Sequence, residues 1–181
     1  SKVLASKENL VVLPSRADEK KKKLYTDFFE QWKAVDNDQF EVVYDDKVNT
    51  LPGNKTVWII GFENKFADKI NNNISKFKSS ILGDSVIYQG VPTSKANHSF
   101  VMTIYNPENS NMNMAFIAID NMNAIQGLIT KLPHYGKYSY LGFEGDEPVN
   151  VAKGEWPVSD SPLVKVFESS AQSTPMFKNR E

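Results

Sequence analysis

Apolar and polar positions change period several times along the chain, and the changes mark out elements. Asn9 to Pro14 (NLVVLP) is a short apolar run closed by proline, the pattern of a buried strand. Ser15-Arg16-Ala17-Asp18 follows, a Ser-x-x-acid start in which the serine oxygen can accept a free backbone N–H. Leu24, Tyr25, Phe28, Phe29, Trp32 and Val35 then recur at three- and four-residue spacing, which predicts a helix to about Val35 with one inward stripe. Phe40 to Tyr44 (FEVVY) and Thr56 to Gly61 (TVWIIG) read as strands, separated by the turn residues Leu51-Pro52-Gly53-Asn54. Phe66, Ile70, Ile74 and Phe77 return to near four-residue spacing and predict a second helix.

The middle of the chain switches back to strand composition. Ser85 to Val91, His98 to Tyr105 and Met114 to Ile119 are three runs parted by connection-type sequences, and an antiparallel meander is the economical expectation. Asp120 or Asn121 is placed to cap a third helix with a buried stripe of Ala124, Ile125, Leu128, Ile129 and Leu132, and Pro133 is expected to stop it. Tyr138 to Phe143 is the last clear strand, and from Gly145 onward the chain reads as turn-rich. The alternation implies one layered α/β domain, residues 1–165, with 166–181 as a C-terminal tail. Its sheet should be mixed and partly parallel, flanked by about three helices, Rossmann-like or flavodoxin-like in part.

Composition narrows the function classes. With 181 residues and 40% hydrophobic content the chain can bury one core of ordinary size. A balance of 21 basic against 22 acidic residues gives no global field toward nucleic acid or anionic membrane. The run Lys20 to Lys23, with acids on either side, reads as a solvated helix face. No apolar run approaches the length a membrane-spanning helix needs, so membrane insertion is not expected. Zero cysteines remove disulfides, thiolate nucleophiles and Cys-ligated zinc.

Catalytic constellations are hard to assemble from what remains. The chain has two histidines, His98 and His134, and no His-Glu-x-x-His pair. His98 and Ser99 are adjacent on a predicted strand and point to opposite faces, which disfavours a dyad. Gly61-Phe62-Glu63-Asn64-Lys65 follows a strand as phosphate-binding turns do, but it lacks further glycines and Glu63 would repel a pyrophosphate, so no cofactor is expected. The cluster Glu144-Gly145-Asp146-Glu147 reads as an exposed acidic turn in preference to a calcium or magnesium site. Three Asn-x-Ser/Thr sequons, at Asn54, Asn73 and Asn97, matter only in a glycosylating pathway. No catalytic residue and no metal ligand is assigned.

One segment stands out: His134-Tyr135-Gly136-Lys137-Tyr138-Ser139-Tyr140-Leu141, continuing through Trp156-Pro157. Aromatic residues with polar tips, interleaved with glycines and acids, suit a surface that docks on a partner; they suit equally well packing within the domain. HYGKYSYLGFEGDEPVNVAKGEWP, together with the earlier TVWIIGFENK, resembles an accessory region of large secreted bacterial metallopeptidases of the aminopeptidase kind, over roughly residues 55–165. That resemblance implies an exported protein, periplasmic or extracellular, in which the zinc site lies elsewhere in the polypeptide or complex. It implies a non-catalytic α/β module that docks to or supports a peptidase domain, its partner. The expected contact residues are Tyr135, Tyr138, Tyr140 and Trp156. Two other expectations stay open: a stand-alone small hydrolase or nucleotide-dependent enzyme using Gly61, Glu63, His98 and His134, and a small-ligand or glycan-binding module using the aromatic residues.

Overall fold

A computed structural model describes residues 8–36, 40–106 and 109–157. The expected tail, 166–181, lies outside the described residues, as does the end of the expected domain. The elements in chain order are β1 (Asn9–Leu13), α1 (Glu19–Asp36), β2 (Phe40–Tyr44), β3 (Thr56–Ile60), α2 (Ala67–Ile74), β4 (Ser80–Ile81), β5 (Ser85–Tyr88), β6 (Val91–Ser94), β7 (His98–Asn106), β8 (Asn109–Ile119), α3 (Ile125–Lys131), β9 (Tyr140–Glu144) and β10 (Val149–Gly154). Short 3-10 turns follow β2 (Asp45–Lys47) and α2 (Ser75–Phe77) and flank α3 (Met122–Ala124, Leu132–Tyr135).

Seven strands form one sheet in the order β10-β9-β7-β8-β3-β1-β2. The pairs β1–β2, β1–β3 and β3–β8 are parallel, whereas β7–β8, β7–β9 and β9–β10 are antiparallel. The sheet is therefore mixed, as the sequence predicts. Central strands are buried on both faces and so carry apolar residues at consecutive positions. Leu10 and Val12 of β1 face one core with α2, while Val11 and Leu13 face the other with α1 and α3. The same split runs through β8, with Met114 and Phe116 on one side and Ile117 and Ile119 on the other. Helix α1 buries Tyr25, Phe28 and Phe29, the inward stripe its spacing predicts, and Trp32 packs edge-on to Trp58 of β3.

Several expectations need correction. The carboxylate Oδ1 of Asp18 accepts from the Lys21 amide at 2.8 Å, so Asp18 rather than Ser15 caps α1. The meander is divided: β5 belongs with β4 and β6 in a separate three-stranded antiparallel sheet, and only β7 and β8 of the three runs share the main one. This small sheet lies over the α2 face, where Val86 and Tyr88 join that core. The third α-helix ends at Lys131, two residues before Pro133, and the chain continues as a 3-10 turn, Leu132–Tyr135, with Pro133 in its first turn. Finally, β10 occupies a stretch that reads as turns.

Candidate functional site

In an open α/β sheet the natural ligand position is the crevice at the carboxyl ends of the parallel strands, where the strand order reverses. Here that position lies between β1 and β3. Two of the expected residues, Gly61 and Glu63, stand on the loop after β3, and His98 opens β7, whose backbone carbonyl accepts from Asp120 at the carboxyl end of β8. Loop residues of the chain pack closely at this position. Pro14 is buried, and a Cβ on Gly61 would approach its Cγ to 2.9 Å. The buried amide of Asn64 donates to the carbonyls of Val12 and Ile60 at 2.9 and 3.1 Å, joining the last turns of both strands. Its Oδ1 accepts from the Phe66 amide at 3.1 Å.

Asp45, only 2% exposed, fastens the neighbouring loops. Its Oδ1 accepts from the Ser15 amide at 2.9 Å and its Oδ2 from the Lys65 amide at 2.8 Å. Burial alone would raise its pKa, but these hydrogen bonds outweigh it and hold the carboxyl below the ordinary range. Glu63 is bound to Lys21 at 2.9 Å; that hydrogen bond raises the lysine pKa against the opposing effect of burial. Lys95 stands 4.2 Å above the Phe62 ring, and burial lowers its pKa. His98 places Nδ1 2.6 Å from the Ala96 carbonyl, which can only accept, so the proton sits on that nitrogen. Ser99 is buried on the opposite face of β7, as alternation requires. His134 is exposed on the 3-10 turn after α3 and makes no hydrogen bond or ring contact with Gly61, Glu63 or His98. The structure thus brings Gly61 and Glu63 together on one loop but does not assemble the four residues.

The aromatic segment forms a second constellation. Tyr140 stacks on Tyr88 at 4.5 Å and tilts against Trp156 at 4.9 Å, and Trp156 lies flat on Phe77 at 4.9 Å and 7°. The Trp156 indole N–H donates to the Thr103 carbonyl at 2.8 Å. With 2% exposure, Trp156 is a core residue that stitches the small sheet and α2 side to the main sheet, and it offers no contact surface. Tyr135 and Tyr138 are half-buried on the other face, where Tyr135 meets Phe143 edge-on at 5.4 Å. Tyr140 is half-buried and lines a cavity.

That cavity is a groove of about 520 Å³ between β6 and β10. Tyr88 and Tyr140 line it together with Val91 and Thr93 of β6 and Asn150 to Lys153 of β10. The Tyr88 hydroxyl donates to the Leu141 carbonyl at 2.8 Å; burial pushes its pKa well up, and neighbouring Tyr140 adds to this. The Gln89 side chain donates to the Tyr140 hydroxyl and the Glu155 carbonyl, at 3.1 and 3.0 Å. β10 carries a bulge between Asn150 and Ala152, and the Asn150 amide closes it by donating to the carbonyls of Gly142 and Ala152. None of the groove's eight lining residues is a carboxylate or an imidazole; valine and alanine side chains give it apolar wall, and Tyr88, Thr93, Tyr140, Asn150 and Lys153 give it polar groups. Two of its large apolar residues stand exposed, Val91 at 65% and Val151 at 47%, and Val149 at the start of β10 is exposed at 61%. Sequence reasoning missed all three, because single valines in a stretch without clear alternation carry no signal of their own.

No protein-family model matches this chain, and neither does any curated protein.

Proposed function

We propose that the chain is a non-catalytic accessory module that docks to a catalytic domain, of the secreted metallopeptidase kind, through the β6–β10 side of its sheet. The observation that supports this reading is the exposure of Val91 and Val151 on one groove, with exposed Val149 two residues along β10, at a sheet edge that has no partner strand among the described residues. Contiguous exposed apolar surface next to hydrogen-bonding edge is how docking surfaces differ from ordinary protein surface. The surface comprises the half-buried Tyr140 and the β10 valines, with Trp156 beneath it as support, while Tyr135 and Tyr138 lie on the opposite face of the sheet.

The test uses the peptidase that carries or binds this module. Replacing Val91 and Val151 together by serine should weaken association and lower turnover of an aminoacyl-anilide substrate about threefold or more, with the melting temperature of the module itself nearly unchanged. Unchanged association and turnover in the double variant would overturn the reading.

A further inference from the structure

The docking surface has a direction and a charge that its valines alone do not reveal. Among the described residues β10 is the terminal strand of the main sheet and pairs with β9 on one side only. Its outer edge therefore presents backbone donors and acceptors to whatever approaches. The small sheet rises beside that edge: Tyr88 lies opposite Val91, and Val86 opposite Thr93, so Val91 and Thr93 share the face of β5 and β6 that turns toward the main sheet. The groove is thus a slot with strand edge along one wall and side chains on the other. The far edge of the sheet differs. On β2 the exposed Tyr44 ring has the Lys22 ammonium 5.5 Å above it, and Glu41 is paired with Lys55 at 2.7 Å.

Charge settles what fits the slot. Ala152 lies opposite Gly142 and faces the groove side, whereas Lys153, which also borders the groove, lies opposite Leu141 and carries its ammonium to the other side. There the ammonium groups of Lys153 and Lys137 stand 5.5 and 5.1 Å from the Tyr138 ring. Neither forms an ion pair among the described residues. Glu147 and Glu155 lie just beyond the two ends of the strand and confine a complementary negative charge to its middle.

We propose that β10 accepts an added strand from another polypeptide: a short extended segment with apolar residues toward the groove and a central carboxylate toward Lys153 and Lys137. The proposal rests on the docking reading and specifies its mode. Main-chain bonds to the β10 edge supply affinity, and the alternating side chains supply selection.

A capped pentapeptide, threonine-valine-glutamate-valine-threonine, is the probe, titrated into the full chain to millimolar concentration while amide NMR shifts are followed. Shifts should centre on Val149 to Gly154 and on Val91 and Thr93. The same peptide with lysine at its centre should bind about fivefold more weakly. Lys153→Glu, at an exposed position, should reverse that preference without changing the melting temperature. A glutamate peptide N-methylated on alternate amides so that one edge cannot donate, and its counterpart methylated on the other amides, should differ, one of them losing the shifts. No β10 shift with any peptide would overturn strand addition, as would equal binding by both methylated peptides. β10 shifts that appear on concentrating the protein alone would make a second copy the occupant and also overturn it. A loss of peptidase turnover in the Val91/Val151 variant without peptide binding would leave docking standing and dispose of the strand; peptide binding with unchanged turnover would do the reverse.

Discussion

Asp45 shows how one buried carboxylate can hold three loops. Its two oxygens each accept from one backbone amide, at Ser15 and at Lys65, and it also begins the 3-10 turn after β2. An asparagine there has a single acceptor oxygen, so its NH₂ group would face one of the two amide donors. Asp45→Asn should therefore cost about 2 kcal/mol at neutral pH, measured by urea denaturation. The folded pKa lies below the ordinary 3.8, so the unfolded chain takes up the proton first as pH falls. The stability from Asp45 is full above that ordinary value and is lost as pH drops through the folded one. In the asparagine variant this part of the acid dependence should be missing. Tyr25 makes a comparable point on the other face. Its hydroxyl accepts from the Ile119 amide at 3.1 Å, and Tyr25→Phe leaves that amide buried without a partner, at a cost of about 1–3 kcal/mol in the same measurement.

At the scale of elements, α3 is held to the β9–β10 hairpin by close contact. A Cβ on Gly127 would collide with the Cδ of buried Pro148, and the Lys131 ammonium donates to the Pro148 carbonyl beside it. Gly127→Ala would gain about 1 kcal/mol of helix propensity, but overpacking against a proline ring costs about 1–3 kcal/mol. The net effect should be destabilising, and a calorimetric melt decides the sign. Elements buried on both faces were legible in the sequence. β1 is a continuous apolar run because helices cover both of its sides, and α1 declares itself through Tyr25, Phe28, Phe29 and Trp32. β10 was not legible: Asn150, Lys153 and Gly154 dilute its strand propensity, and the bulge at Val151 breaks the two-residue alternation. β6 hides for a related reason, since Pro92 is tolerated only on an edge. In the candidate sites, Tyr140 was within reach of sequence reasoning, while Asp45 and Asn64 were not, because their partners come from loops distant along the chain. Trp156 read as a contact residue because nothing local reveals the Phe77 ring that covers it.

For the whole molecule, Trp156 is one of the links between two sheets that share no strand, beside the Tyr88 and Gln89 bonds to the main-sheet side. It touches Phe77 and Tyr88 on the small-sheet side and Tyr140 and the Thr103 carbonyl on the main sheet. Trp156→Ala should cost about 3–5 kcal/mol, and hydrogen exchange should show β4 to β6 losing protection before the central strands. The parallel contact of β3 with β8 has a further consequence, for the order of events during folding. Those neighbours are separated in sequence by α2, the small sheet and β7, whereas β7 and β8 meet through a short connection. Closing the long loop sacrifices chain entropy before any contact rewards it, so refolding should take about milliseconds to seconds. The β7–β8 ribbon is the local piece that can form early and receive β3 afterwards. Truncating Met102 on β7 should consequently slow refolding in stopped-flow traces, while truncating Val57 on β3 should act mainly on the unfolding rate.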